Sequence, residues 1–209
     1  MTNQAKPTEH HQPLTDALAY AKRQGIDGVD ALISKESGFG VSARKGDVEE
    51  IEYHQEQGFS VTVYQGQRTG SASTTDLEHQ SLCQTIDKAV SIARYTDEDE
   101  YAGLPDKALL AFEYPDCDLY HPWDLTPHQA AEIAIQCEAV ARAYDKRITD
   151  SEGSAVSSYV GTYTYGNSLG FMGGYQSSRH TINCGVVARD GDEMQREYDY
   201  SCARDATQL

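Results

Sequence analysis

The chain has 209 residues, 17 Lys and Arg against 33 Asp and Glu, a formal net charge of −16 and 39 % apolar residues. That length suits one large domain or two small ones and is enough for a buried core. The charge excludes duplex nucleic-acid binding as a main occupation, because affinity for phosphate backbones comes largely from Lys and Arg displacing counterions; a neutral or basic partner suits it better.

No apolar run reaches the roughly 18 residues that span a bilayer, and the polar start, Met1 to Gln12, has no basic region followed by an apolar block, so neither a membrane partner nor a secretory signal is expected. Cys83, Cys117, Cys137, Cys184 and Cys202 are odd in number and widely spaced, without a CxxC pair. They read as reduced, structural thiols of a cytoplasmic protein.

The first dozen residues, 1–12, are expected to be a mobile tail. A helix is predicted from about Pro13 to Gln24, because Leu14, Ala17, Leu18 and Ala21 share one face and Gly25 can stop it. Strands follow: Ala31 and Ile33 alternate with polar residues, as do Val41 and Ala43, and Lys45-Gly46-Asp47 marks a turn. Val48, Ile51 and Tyr53 continue on the return strand, then Phe59, Val61 and Val63 alternate strictly before a turn at Gly66. Thr75 to Glu78 has the form of a capping box, opening a second helix whose stripe is Leu82, Ile86, Ala89, Val90 and Ala93.

Periodicity disappears between Tyr95 and Leu125, where an acidic run and Pro105, Pro115 and Pro122 predict an irregular crossover, with Trp123 anchoring it to a core. Thr126-Pro127-His128-Gln129 opens a third helix, and Ile133, Cys137, Val140, Ala141 and Tyr144 are expected on its buried face. Alternation resumes in Val156, Val160, Tyr163 and Tyr165, in Ile182 to Ala188, and in Tyr198, Tyr200 and Cys202 after a turn at Asp190-Gly191-Asp192. Helix followed by antiparallel strands thus occurs twice. The fold class is α+β: two helix-plus-antiparallel-sheet layers, 13–95 and 126–209, joined by a crossover at 96–125.

None of the seven His residues is followed by Glu, so HExxH and its relatives are absent; GxSxG, a phosphate loop and GxGxxG are absent too. No catalytic or metal-ligating residue is assigned. The candidates for substrate contact are Arg179 and His180, beside the glycine-rich strand, and Tyr163 and Tyr165, in a run with Tyr159 and Tyr175 that could line a peptide groove.

Several blocks, in order, resemble one family. Val41-Ser42-Ala43-Arg44, Gly70-Ser71-Ala72-Ser73-Thr74-Thr75-Asp76-Leu77 and Ile92-Ala93-Arg94-Tyr95-Thr96 are similar to the N-terminal half of the TldD/PmbA family. So are Lys107 to Phe112, Asp118 to Pro122, Asp145 to Thr149, Gly166 to Gly170 and Ser177 to His180. The likeness covers the chain from about Leu14 onward and is strongest to the PmbA-like (TldE-like) branch. It implies a cytosolic metallopeptidase system of two related subunits acting on unfolded peptides such as a microcin precursor or an antitoxin, an older family label being modulator of DNA gyrase.

Family members are roughly twice this long, and the zinc motif of the TldD-like subunit lies in the half not represented here. The resemblance therefore implies an N-terminal scaffold and dimerisation portion, with zinc in a catalytic partner and either a TldD-like subunit or a second copy as its companion. The alternative is a non-catalytic interaction module acting on gyrase or on a toxin–antitoxin system.

Overall fold

The computed structural model describes residues 10–209. Residues 1–9 of the expected tail lie outside the described residues, and its last two positions already open the first helix. The elements are α1 (His11–Arg23), β1 (Gly28–Arg44), β2 (Asp47–Gln65), β3 (Arg68–Thr74), α2 (His79–Ala93), α3 (Pro127–Ala143), β4 (Ile148–Asn167), β5 (Met172–Asp190) and β6 (Glu193–Ala203). The fold is α+β, and the strands form one six-stranded sheet in the order β3-β2-β1-β4-β5-β6, with β2–β3 and β5–β6 antiparallel. The crossover between α2 and α3 is irregular apart from a 3₁₀ turn at Lys107–Leu109.

Strand length organises the chain. β1, β2, β4 and β5 run 17, 19, 20 and 19 residues, against a usual length of about 5–6. The described residues form two compact units, one from 10–35, 56–117 and 162–176, the other from 36–55, 118–161 and 177–209. Each long strand gives one segment to each unit. The helices and short strands follow chain order: α1, α2 and β3 belong to the first unit, α3 and β6 to the second.

In the first unit Leu14, Ala17 and Ala21 of α1 meet Val29, Ala31 and Ile33 of β1, Phe59, Val61 and Val63 of β2, and Leu82, Ile86, Ala89 and Ala93 of α2. The period-two alternation of the strands and the helical stripes are both as the sequence predicts. β3 pairs Ala72 with Val61 and Gly70 with Val63. Gly70 has to be glycine, because a Cβ there would stand 2.1 Å from the Ala89 carbonyl oxygen and 2.5 Å from the Ala93 nitrogen. Its bare Cα lets α2 lie close on β3.

The second helix starts later than its sequence suggests. Glu78, not Thr75, is the N-cap, and no side chain caps the first turn. Asp76 displaces the expected capping box: its carboxylate accepts from the Glu78 amide at 2.9 Å and from the Ser81 hydroxyl, folding the segment as an Asx turn before the helix begins.

In the second unit α3 opens as predicted. The Thr126 hydroxyl accepts from the Gln129 amide and the Gln129 side chain accepts from the Thr126 amide, a complete capping box with Pro127 in the first turn. Its buried face matches the expected one in part: Ile133 packs against the core, and Cys137 and Ala141 are half-buried. Val140 and Tyr144 are exposed, and the buried residues are Ala130, Ala131, Ala134 and Glu138. Small side chains let the helix approach Val41, Ala43 and Val156 of the sheet, with Ile133 and Ile135 packing at the margin of this contact.

Glu138 is tolerated there because it has partners. Its carboxylate accepts from the amides of Lys45 and Gly46 at 2.9 and 3.2 Å. Those two residues turn β1 into β2 at φ 56° and 88°, the left-handed pair of a tight hairpin. Val48, Ile51 and Tyr53 just beyond form the expected return strand but stay exposed.

Candidate functional sites on the sheet

In the second unit, Ser157, Tyr159 and Gly161 of β4 and Ser177, Arg179 and Thr181 of β5 line a polar pocket of about 390 Å³ together with Glu36 of β1. Residues two apart on a strand point the same way, which assembles this lining from two alternating stretches. β1 comes close to β4 at Gly38, where a Cβ would stand 2.2 Å from the Ser158 carbonyl oxygen. Tyr159 packs edge-on against His54, with ring centroids 5.8 Å apart, and the His54 Nε2 lies 3.7 Å from a Glu36 carboxylate oxygen. Burial, with Glu52 and Glu36 nearby, pushes the Tyr159 phenol up. Hydrogen bonds from Thr181 and Arg179 hold the Cys202 thiol below its ordinary range.

Arg179 and His180 are neighbours in sequence, and the same alternation turns them to opposite faces. His180 is fully buried. Its Nε2 faces the His121 carbonyl at 2.8 Å and its Nδ1 faces the Ser158 hydroxyl at 3.0 Å. A carbonyl only accepts, so Nε2 carries a proton and donates it to the His121 carbonyl, and Nδ1 shares a hydrogen bond with the Ser158 hydroxyl.

Trp123 stands edge-on to the imidazole at 5.5 Å, anchoring the crossover as the sequence predicts. Ser178 works with His180 on this face: its amide donates to the Leu119 carbonyl at 2.9 Å, and its hydroxyl accepts from the His121 amide at 2.8 Å. Ser178 and His180 thus lace the crossover to β5, while Arg179 and Thr181 face the pocket. The Ser158–His180 pair has the contact of a hydrolase dyad but no access for a substrate, both residues being buried.

Tyr163 and Tyr165 lie in the first unit, where the structure brings them into an aromatic pocket of about 340 Å³ with Leu32, Ala111, Tyr114, Phe171, Gly173, Gly174 and Tyr175. Tyr163 stacks on Tyr175 at 5.0 Å and 25°, and Tyr165 and Phe112 each tilt against Phe171, at 5.9 and 5.8 Å. The crossover is pinned here as well. The Tyr114 hydroxyl accepts from the Gly174 amide at 3.0 Å and donates to the Gly174 carbonyl at 3.3 Å. Burial, with Asp30 nearby, raises the Tyr165 phenol.

Reading the sequence alone misses Tyr114 and Phe112, because the aperiodic crossover gives no phase to place them, and Phe171, which lies in the turn between β4 and β5. The local signal of the crossover pair is two aromatic residues two positions apart, directly after the apolar run Ala108 to Ala111. Tyr159, counted with this run in the sequence, belongs to the polar pocket of the second unit.

A metal site needs three or four convergent donors. Among the described residues no group of three or more His, Cys, Asp or Glu is placed to hold a metal ion. The described residues do not fit a resident zinc. Among the described residues, no helix is long and apolar enough to cross a membrane.

Fold and sites together define an α+β sheet protein whose pockets lie on strand faces. Two family models match it, the PmbA/TldA metallopeptidase domain 1 over residues 29–93 and the PmbA/TldA metallopeptidase central domain over 120–209. The chain belongs to the TldD/PmbA family and corresponds to its N-terminal portion.

It is 43 % identical to the metalloprotease PmbA of Escherichia coli O157:H7 over 183 residues, which are 88 % of this chain and 41 % of that protein. It is 36 % identical to a PmbA homologue of Haemophilus influenzae over 98 % of this chain and 45 % of the relative. The chain thus spans less than half the length of the curated relatives it matches.

Among solved structures, a Bacteroides thetaiotaomicron protein whose name refers to modulation of DNA gyrase superposes with a TM-score of 0.86 at 25 % identity, covering 97 % of this chain and 47 % of that one. TldE from Thermococcus kodakarensis gives 0.76 at 16 % identity, over 92 % and 43 %, a likeness of fold.

Proposed function

We propose that this chain is the N-terminal scaffold and dimerisation portion of a PmbA (TldE)-like subunit in a cytoplasmic metallopeptidase system that cleaves unfolded peptides, of the microcin-precursor or antitoxin type. In this reading zinc is held outside the chain, by a TldD-like partner. The observation that carries it is the match to domain 1 and the central domain of a family whose relatives are named metalloproteases.

The sheet supports peptide handling physically. β3 and β6 are its edge strands, and an edge strand can add an extended peptide through main-chain hydrogen bonds that make little demand on sequence. Arg179, Tyr163 and Tyr165 are the side chains assigned to peptide contact. His180 is a positioning residue, holding the crossover on the opposite face of β5.

The test is hydrolysis of an unfolded peptide by the full-length protein with its TldD-like partner. Cleavage abolished by a chelator is expected; no cleavage by the pair defeats the proposal. The name of the Bacteroides relative favours a second reading, a non-catalytic module that binds gyrase. Stable capture of gyrase by this protein without a TldD-like partner would select it.

A further inference from the structure

We propose that the aromatic pocket of the first unit is an anchor site for one aromatic side chain carried between basic residues on a peptide. The inference rests on the peptide-handling role above and deepens it by naming what the tyrosines select. Four observations support it.

The pocket is built rather than incidental. Gly173 and Gly174 give it a floor that other residues would fill: a Cβ on Gly173 would stand 3.0 Å from both the Phe171 ring and the Tyr114 hydroxyl, and one on Gly174 would stand 2.5 Å from the Tyr163 carbonyl oxygen. Its walls are braced by packing, since Tyr163 and Tyr175 stack and Tyr114 is held at both polar atoms of Gly174.

The size suits one ring. A volume of about 340 Å³ lies at the low end of the roughly 300–1,000 Å³ of drug-sized sites. Tyrosine and phenylalanine walls favour an aromatic guest, because ring pairs in offset or edge-on contact gain about 0.5–1.5 kcal/mol beyond area burial.

The wall remains accessible, since Tyr175 is 50 % exposed. The charge around the pocket selects the flanks of the guest. No charged side chain lines it, yet Asp30 of β1 lies close enough to act on the Tyr165 phenol, and on the crossover Glu113 and Asp116 stand within two residues of Tyr114. A field of that sign attracts cationic groups and repels acidic ones, and a Lys or Arg beside the ring can also lie over an exposed tyrosine face.

The test is calorimetric titration of the chain with three probes: acetyl-Lys-Trp-Lys-amide, acetyl-Lys-Ala-Lys-amide and acetyl-Glu-Trp-Glu-amide. The Lys-Trp-Lys probe is expected to bind at least about tenfold tighter than either of the others. Tyr175→Ala removes a half-exposed wall, and Ala111→Phe plugs the pocket from an exposed position; each is expected to abolish the preference for Trp over Ala, with circular dichroism unchanged.

Equal affinity for the Trp and Ala probes, no penalty for the acidic probe, or a preference that survives both substitutions would overturn the proposal. Selective binding with no cleavage by the full-length pair removes the peptidase reading and leaves this site standing. Cleavage without selectivity does the reverse.

Discussion

Removing Glu138 is the sharpest test of how the second unit is held together. The Glu138→Ala change deletes a buried carboxylate and leaves the Lys45 and Gly46 amides, in left-handed backbone, without their acceptor. A hydrogen bond to a charged group contributes about 1.5–3 kcal/mol; Lys45 and Gly46 are exposed, so no further penalty for buried donors applies. Two amides with some local relaxation put the loss at about 3–5 kcal/mol. For a chain of this length each kcal/mol lowers the melting midpoint by about 2–4 °C, so a drop of about 6–20 °C is expected.

The Glu138→Gln variant keeps one acceptor oxygen but turns an NH₂ group toward the other amide, and should lose about half as much. Burial raises the Glu138 carboxyl, but the Lys45 amide, the Ser151 hydroxyl and the Gly46 amide together outweigh it and hold it below its ordinary range. A carboxylate lowered on folding stabilises above its unfolded value of about 4.3, and that contribution is lost as pH falls through the folded value. The gap between the native chain and Glu138→Gln should therefore be full near pH 7 and close in acid below about pH 4. Thermal and urea unfolding followed by circular dichroism at both pH values measures it. A loss below about 1 kcal/mol for Glu138→Ala, or a gap to Glu138→Gln that is as wide in acid as at neutrality, refutes the reasoning.

Two further outcomes follow from single contacts. Gly70→Ala puts a methyl 2.1 Å from the Ala89 carbonyl oxygen; because the obstacle is backbone, α2 must shift, and a destabilisation of about 1–3 kcal/mol by urea unfolding is expected, whereas Gly46→Ala meets no atom within 4 Å and is strained only by its φ of 88°. With a thiol-directed reagent near neutral pH, Cys202 should label well before Cys184, whose thiol burial and the neighbouring Cys137 push up to about 11, and Arg179→Gln should slow Cys202 by removing one of the groups that stabilise its thiolate; mass spectrometry of the labelled peptides reads both.

What the sequence determined by itself is whatever is local. Ala31 and Ile33, Val41 and Ala43, and Phe59, Val61 and Val63 alternate and are all buried, because a strand's two faces are set by period two alone. The turn at Lys45-Gly46 and the capping box at Thr126 were equally readable, since the left-handed turn and the cap are each signalled by residue types within a few positions of one another.

The same alternation put Arg179 and His180 on opposite faces, but which face would be covered depended on where 119–123 came to rest. The large residues of α3 promised a buried stripe, and Ile133 does pack on the core, yet alanines and Glu138 took the fully buried places, because what sets the distance between helix and sheet, and the amides waiting at residues 45 and 46, lie far away in the chain. Tertiary structure alone gathered Leu32, Tyr114, Tyr163 and Tyr175 around one cavity and threaded each long strand through both units. Such outcomes turn on pairing and register between distant segments, which no local pattern of residues encodes.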